Sequence, residues 1–380
     1  MRLLHISDLH LGKRFKEFSL LEDQEHILEQ ILILTDKTAP DGILIAGDIY
    51  DKSVPSAEAV ALFDRFLTRL AARRIPVFAI SGNHDSAERI AFGSSLMTQS
   101  GIHLSPVYTG SVEPISLEDN YGKVNIYLLP FLRPQTVRRA FPEEAEQITD
   151  YSGALACAVS HMTLDPKQRN ILVTHQFVTG SSGSGSEESF VGGTESVDVQ
   201  VFDGFDYVAL GHIHAAQSVS RETVRYCGTP MKYDFSEIGQ EKSVTLVELG
   251  QKGTISVTAL PLTPLRDMRQ IRGSYDELMT KSTYEGTDTQ DFIRAVLTDE
   301  QDVPDAMRRM RNVYPNLAEL LYDNRRTRQS SSFQALEAME ALSPAQLFAQ
   351  FYESQNGSPL LDVQREFLEA ELAKLTQEVE

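Results

Sequence analysis

The sequence predicts an α/β protein, a four-layer α/β/β/α sandwich with a small α/β capping domain and C-terminal helices. Three observations lead to this prediction. Strand-like apolar runs alternate with helical periodicity up to about residue 81. From about residue 124 the strand-like runs follow one another with few helices between them, which indicates a second sheet. Prolines at 261 and 264 then precede a shorter α/β pattern.

The first sheet is predicted from its βαβα order, which is typical of parallel strands with helices outside. Its predicted elements are a strand at 3–7, a helix at 23–35, a strand at 42–46, a helix at 57–74 and a strand at 76–81. The second sheet is predicted from strands at 124–129, 171–174, 207–210, 224–227, 243–249 and 255–260.

The sequence predicts that the chain consists of three segments. Residues 1–263 are predicted to form the main domain and 264–324 the capping domain, with strands at 268–271, 292–297 and 317–322. Residues 325–380 are predicted to be a polar linker followed by helices. The last helix carries an apolar stripe, which fits either packing on the chain itself or a groove on a partner. We favour the partner, because the stripe follows the linker.

Composition limits the function. Cys157 and Cys227 are too few for a disulfide framework, which points weakly to the cytoplasm. We find neither a signal peptide nor an apolar run long enough to cross a membrane. A formal net charge of −19 argues against a protein that binds nucleic acid by itself. A DNA enzyme of this charge would need bound metals, a local basic patch or a basic partner.

Acids, an amide and histidines follow several of the strand-like runs. The predicted metal ligands are Asp8, His10, Asp48, Asn83, His175, His212 and His214. Oxygen and imidazole ligands from separate strand ends suit a site with two divalent ions, which would activate water for attack on phosphorus. The absence of Cys from the set disfavours a structural zinc site. The mixture of carboxylate, amide and imidazole suits Mn²⁺ or Fe²⁺ better than Zn²⁺ or Mg²⁺.

Residues two apart on a strand point to the same side, so Asp8 and His10 should converge, as should His212 and His214. We expect Asp48 to bridge two ions about 3.5–4 Å apart. One ion would then take Asp8, His10 and His214, and the other Asn83, His175 and His212.

Three further residues are candidates for the chemistry. His84 follows a ligand and is expected to stabilise the charge on phosphorus or to protonate the leaving oxygen. Asp85 is expected to orient His84, and Asp51 to support the site in the same indirect way.

These clusters resemble the calcineurin-like metallophosphoesterase superfamily, and most closely its SbcD-type nuclease subunits of bacterial SbcCD complexes. The resemblance rests on 7–12 (SDLHLG), 46–51 (AGDIYD), 82–86 (GNHDS), 207–214 (YVALGHIH) and 228–237 (GTPMKYDFSE). It implies a DNA nuclease, acting as a 3′–5′ double-strand exonuclease and a single-strand and hairpin endonuclease. It also implies a homodimer working with SbcC, a coiled-coil ATPase, in a heterotetramer.

Alternatives stay open outside the ligand set. A nucleotidase or cyclic-nucleotide phosphodiesterase could use the same ligands, and only the regions beyond the site distinguish it from a nuclease. Arginines are concentrated in the capping domain and linker, at 308, 309, 311, 325, 326 and 328. DNA contact and a solvated surface explain them equally well.

Overall fold

The computed structural model describes residues 1–183 and 196–325, together with single positions further on (327, 348–349, 352, 360, 364–365 and 368). The strands in chain order are β1 (Arg2–Ile6), β2 (Arg14–Phe15), β3 (Phe18–Ser19), β4 (Gly42–Ala46), β5 (Val77–Ile80), β6 (Ile102–Leu104), β7 (Ile115–Asp119), β8 (Gly122–Leu129), β9 (Arg169–His175), β10 (Tyr207–Gly211), β11 (Gln217–Val219), β12 (Arg221–Tyr226), β13 (Ser243–Leu249), β14 (Ile255–Pro261), β15 (Met268–Gly273), β16 (Phe292–Leu297) and β17 (Leu317–Tyr322). The helices are α1 (Leu21–Thr38), α2 (Ala57–Ala72), α3 (Ala87–Ile90), α4 (Ser94–Met97), α5 (Pro134–Ala140), α6 (Tyr151–Ser160), α7 (Tyr275–Met279), α8 (Lys281–Tyr284) and α9 (Ala306–Met310).

The first sheet has six strands in the order β14-β13-β1-β4-β5-β6. Strands β1, β4, β5 and β6 are parallel, as the βαβα order predicts. Strand β13 is antiparallel to both β1 and β14. The expectation that residues 243–249 and 255–260 belong to the second sheet is therefore wrong. The chain returns to pair Glu248 with Arg2, a contact that no local sequence pattern reveals.

The second sheet has the order β11-β12-β10-β9-β8-β7. Its four inner strands, β12, β10, β9 and β8, are parallel, and the edge strands β7 and β11 are antiparallel to their neighbours. Inner strands covered on both faces are rich in apolar residues, as β9 and β10 are here. Both sheets therefore end several parallel strands at one edge, where ligands can emerge.

The two sheets pack face to face. Leu3, Phe78, Ile126, Tyr207 and Val247 belong to the apolar core that both sheets share. A second core lies between the other face of the second sheet and helices α5 and α6. Helices α1 and α2 pack against each other and bury apolar side chains. On β1, Leu4 and Ile6, which alternate with Leu3, are also buried. The predicted layered α/β fold is confirmed.

The contacts divide the chain into two compact units, residues 1–270 with 290–293, and residues 271–289 with 294–380. The small α/β pattern predicted after residue 264 is present as the three-stranded sheet β15-β16-β17 with α7, α8 and α9. The predicted domain boundaries stay predictions. The predicted C-terminal helices lie almost wholly outside the described residues. Within the described part of the chain, no helix combines the length and apolar character that a bilayer crossing requires.

Candidate metal centre

The predicted ligands lie at the carboxyl ends of strands from both sheets. His175 is the last residue of β9. The other ligands follow the ends of β1 (Asp8, His10), β4 (Asp48), β5 (Asn83) and β10 (His212, His214). The carboxyl edge of parallel strands is where open α/β sheets bind ligands. Because each sheet presents this edge to the same place, side chains that are distant in the sequence converge there.

The backbone that carries these ligands is not extended. Strand β1 ends at Ile6, and Asp8 and His10 both have positive φ, +52° and +42°. Asp48 (+48°) and His212 (+104°) share this left-handed geometry. The argument from strand spacing is therefore wrong, although the side chains do converge. Non-glycine residues held at positive φ are concentrated at functional sites, because surrounding contacts must offset the strain.

Hydrogen bonds between the loops hold this geometry. The amide of Asp8 donates to the carbonyl of Gly47 at 3.0 Å, and the amide of His10 donates to the carbonyl of Asp48 at 3.0 Å. Gly82 packs so closely that a Cβ there would lie 2.1 Å from Oδ1 of Asp48. Only glycine at this position lets the loop after β5 approach the Asp48 carboxylate.

The first predicted ligand group is brought together. Donor atoms of Asp8, His10 and His214 all lie within 4.8 Å of one another, and all three residues are buried. The rings of His10 and His214 have centroids 5.3 Å apart. Neither ring nitrogen of His10 has a hydrogen-bond partner among the described residues, although both are buried. Such nitrogens are costly unless something binds them, and a metal ion would do so.

The second predicted group is also brought together. Oδ1 of Asn83 lies 2.9 Å from Nε2 of His175 and 3.1 Å from Nδ1 of His212. Oδ2 of Asp48 lies 3.4 Å from Nε2 of His175 and 3.8 Å from Nε2 of His10. Asp48 therefore lies between the two groups, where a bridging carboxylate is expected.

The charges of the centre favour bound cations. Asp8 and Asp48 are at most 2% exposed. Burial, with a contribution from the charge of Asp48, raises the pKa of Asp8. Burial alone would lower the pKa of His175, but the neighbouring Asp48 carboxylate raises it to about 9. The cluster thus requires positive charge, and its oxygen and imidazole donors suit divalent ions.

His84 points its Nε2 towards the centre, 3.9 Å from Oδ2 of Asp48. Its Nδ1 lies 3.0 Å from the backbone carbonyl of Asp51. Because a carbonyl can only accept, Nδ1 must carry the hydrogen, and Nε2 is left to exchange a proton in the site. The side chain of Asp51 accepts a hydrogen bond from Lys13 at 2.8 Å and lies 3.9 Å from Nδ1 of His10.

Asp85 does not orient His84, contrary to the prediction. Its carboxylate accepts hydrogen bonds from the amides of Ile49, Tyr50 and Gly82 at 2.9–3.0 Å. Burial and the charge of Asp48 raise the pKa of Asp85 to about 6, while these amides oppose the shift. Asp85 therefore ties the loop after β4 to the loop after β5, and the Asp51 carbonyl is the group that holds His84.

Sequence reasoning missed the supporting residues. Oε1 of Glu237 lies 3.1 Å from Nδ1 of His214, and Lys242 Nζ lies 2.6 Å from Oε2 of Glu237. Burial would raise the pKa of Glu237, but His214 and Lys242 lower it to about 2. Ser7 Oγ donates to Oδ2 of Asp8 at 2.5 Å. The resemblance at 228–237 singled out the segment containing Glu237 but assigned it no chemistry.

The arginines weighed as DNA contacts make contacts of their own. Arg308 pairs with Asp305 at 3.3 Å, and Arg309 lies over the ring of Tyr275 at 4.6 Å. Arg311 donates to the carbonyl of Leu317. Arg326 and Arg328 lie outside the described residues. In the first unit, Arg133 lies 5.9 Å from the ring of Phe131, whose centroid is 6.3 Å from that of His175.

Comparisons with known proteins identify families that match the chain. A family profile described as "Calcineurin-like phosphoesterase" matches residues 1–216. A second profile, SbcD_C, described as "Type 5 capsule protein repressor C-terminal domain", matches residues 264–356. The SbcD subunit of the nuclease SbcCD from Staphylococcus epidermidis is 32% identical to the chain over 371 residues, 96% of each protein.

Two solved structures are more loosely similar. TT1561 of Thermus thermophilus is 12% identical with a TM-score of 0.38, and the match covers 68% of this chain and 98% of that one. A dimetal phosphatase from Danio rerio is 10% identical with a TM-score of 0.42, and the match covers 69% of this chain and 98% of that one.

Proposed function

We propose a function that starts from the family: the chain belongs to the calcineurin-like phosphoesterases and, within them, to the SbcD-type nuclease subunits. The proposed function is hydrolysis of DNA phosphodiester bonds, as the nuclease subunit of a complex with an SbcC-type coiled-coil ATPase. Exonuclease action on double strands and endonuclease action on single strands and hairpins are the proposed activities. The observation that carries the proposal is the position of Asp48, whose Oδ2 faces imidazoles contributed by both sheets. The proposed location is the cytoplasm, because the proposed substrate is DNA.

The proposed cofactors are two divalent ions, with Mn²⁺ preferred and Fe²⁺, Mg²⁺ and Zn²⁺ as alternatives. Asp8, His10 and His214 would hold one ion, and a second group would hold the other, with Asp48 shared between them. The second group is Asn83, His175 and His212. Bound ions would supply Lewis acidity and an activated water. The mixture of carboxylate, amide and imidazole donors supports this preference, and the lack of a thiolate disfavours a structural zinc site.

The proposed roles of the remaining site residues follow from their contacts. His84 would give a proton from Nε2 to the leaving oxygen, or stabilise charge on the phosphoryl group, because the Asp51 carbonyl holds its Nδ1. Asp51 would support the site through this carbonyl and through its carboxylate, which lies near His10. Asp85 would preserve the loop that carries Asp48.

DNA binding by so acidic a chain needs local help. Arg133 and Phe131 offer a cation and an aromatic face beside His175, a combination that suits nucleotides. An ATPase partner would add basic surface, and the C-terminal segment is the proposed contact with it. A small-molecule phosphoesterase would need neither feature.

The proposed homodimer contact lies in residues 86–100. Phe92 and Leu96 are 84% and 75% exposed there, an unusual exposure for large apolar side chains that are close in sequence. Helix α1 is a weaker candidate, because Arg65 of α2 and Arg73, which directly follows α2, pair with acidic residues along one side of α1. Light scattering should show monomers for Phe92→Asp, whereas Ile33→Asp on α1 should stay dimeric. The reverse pattern would move the contact to α1.

The activity test uses three substrates with Mn²⁺: hairpin DNA, a mononucleotide and a nitrophenyl phosphodiester. The proposal expects cleavage of the hairpin and little turnover of the mononucleotide, and loss of cleavage on chelation. Co-purification with an ATPase, followed by assays with and without ATP on blocked and free ends, tests the partner. Rapid hydrolysis of the mononucleotide with intact hairpin DNA would favour the small-molecule enzyme.

A further inference from the structure

Three imidazoles of the centre are anchored through Nδ1, but the anchors differ. Nδ1 of His175 lies 2.8 Å from the carbonyl of Ala46, and Nδ1 of His84 lies 3.0 Å from the carbonyl of Asp51. Nδ1 of His214 lies 3.1 Å from a carboxylate oxygen of Glu237. Among these three imidazoles, His214 is therefore the one with a side-chain carboxylate as its anchor.

The carboxylate of Glu237 is held as an anion inside the protein. Glu237 has no exposed surface, and Lys242 is 8% exposed. Lys242 Nζ lies 2.6 Å from Oε2 of Glu237 and also donates to Oγ1 of Thr229 at 2.6 Å. It donates as well to the backbone carbonyl of His214 at 3.0 Å. Lys242 thus fixes both the carboxylate of Glu237 and the backbone of His214, the histidine that this carboxylate anchors.

A carboxylate that accepts from the remote nitrogen of a ligand histidine fixes its tautomer and increases its basicity. With Nδ1 engaged by Glu237, Nε2 of His214 is the nitrogen presented to the metal. A neutral carbonyl orients a ring in the same way but adds less electron density. The two ligand groups also differ in charge. The group of His214 contains the acidic Asp8, whereas the other group contains the neutral Asn83.

We propose that Glu237 and Lys242 are positioning residues that selectively strengthen the metal site formed by Asp8, His10 and His214, so that the two ions bind with unequal affinity. This inference rests on the proposed two-metal function. It predicts that the site containing His214 fills first as Mn²⁺ is added. Loss of the Glu237 charge should weaken this site and leave the site of Asn83, His175 and His212 nearly unchanged.

The test is a calorimetric Mn²⁺ titration of the full-length protein, with electron paramagnetic resonance to distinguish single from coupled ions. Wild type should bind two ions in two steps. Glu237→Gln, which keeps an acceptor oxygen but not the charge, should weaken the tighter step by about 10-fold, and Glu237→Leu by up to about 100-fold. Asp119→Asn breaks another ion pair far from the ligands, with the buried Arg169, and is the control for lost stability.

The outcomes separate the two proposals. If both steps weaken equally in Glu237→Gln, or neither changes, the selective role is wrong while the metal centre stands. If wild type binds no Mn²⁺, the centre itself is wrong. Circular dichroism shows whether each variant is folded. If Asp119→Asn weakens the tighter step as much as Glu237→Gln does, the effect is one of general stability and the inference is overturned.

Discussion

Oδ2 of Asp48 lies 3.4 Å from Nε2 of His175 and 3.8 Å from Nε2 of His10, so one carboxylate faces imidazoles from both sheets. His10 follows β1 of the first sheet, whereas His175 ends β9 of the second. The site therefore exists only when the two sheets are packed together. Burial alone would raise the pKa of Asp48, but His175, His10 and His84 together lower it, so the carboxylate stays ionised and able to bind cations.

Asp48→Asn should abolish two-metal binding. The amide keeps the shape of the side chain but cannot carry the negative charge that a shared ligand supplies. We expect Mn²⁺ stoichiometry to fall below two and hairpin cleavage to fall at least about 10³-fold. Metal analysis after gel filtration and single-turnover cleavage measure these effects. Full Mn²⁺ binding by Asp48→Asn would contradict the bridging role.

His84→Gln should separate chemistry from metal binding. Loss of a proton donor in the transition state costs about 10²–10⁴-fold in rate. The Asp51 carbonyl holds Nδ1 of His84, so Nε2 is the nitrogen proposed to donate the proton, and Gln has no equivalent group. His84 is not a proposed ligand, so we expect both ions still to bind. Calorimetry and kcat on hairpin DNA, measured on the same preparation, test this. A variant with wild-type kcat would show that His84 carries no proton in the reaction.

The side chains that converge at the candidate metal centre could be selected from the sequence because strand ends leave a local signature, an apolar run followed by acids or histidines. The backbone conformation at Asp8 and His212 could not be predicted, since both residues have positive φ and are held by groups distant in the sequence. The amide of Asp8 donates to the carbonyl of Gly47, and the amide of His212 donates to the carboxylate of Asp8. The role of Asp85 was misassigned for the same reason. Its neighbour in sequence is His84, but the groups that it contacts, the amides of Ile49 and Tyr50, come from another loop.

The position of β13 in the first sheet and the role of Glu237 could not be predicted from the sequence either. Strand β13 has a typical strand pattern, but its partner β1 lies at the other end of the domain. Glu237 stands in a short 3₁₀ helix, Phe235–Glu237, with no periodicity to mark it as buried. Only the folded chain shows that this acid faces His214 and that Lys242 neutralises it.

Asp85→Asn should loosen the loop that carries Asp48. Asp85 accepts three backbone hydrogen bonds through two oxygens, and an amide has one oxygen, so at least one amide loses its acceptor. An unsatisfied buried donor costs about 1–3 kcal/mol in the free energy of unfolding. Urea denaturation in chelator measures this cost. Asp51→Asn loses the pair with the partly exposed Lys13 and a longer approach to His10, and it should cost less than about 1 kcal/mol. Equal costs for the two variants would contradict the assignment.

The Arg169–Asp119 pair should make stability fall in acid independently of the metals. Arg169 is 2% exposed and pairs with Asp119, which also contacts the N-terminal amine at 2.9 Å. The hydrogen bond from Arg169, reinforced by the amine, lowers the pKa of Asp119 below its unfolded value. The ionised carboxylate therefore contributes fully to stability above about pH 4, the pKa of Asp in an unfolded chain. This contribution is lost progressively as the pH falls from there through the lower pKa of the folded protein.

Asp119→Asn leaves the buried Arg169 without a counter-charge, so it should lower the free energy of unfolding by about 3 kcal/mol at pH 7. The difference in the free energy of unfolding between wild type and Asp119→Asn should shrink as the pH falls below about 4. Below that pH the carboxyl of the unfolded wild-type chain binds a proton, whereas the folded protein does so only at still lower pH. Urea denaturation in chelator across this range measures it. Asp203→Asn removes an exposed pair with Arg221 and should change stability by less than about 1 kcal/mol. A difference between Asp119→Asn and wild type that stays constant down to pH 3 would show that the charge of Asp119 is not what stabilises the fold.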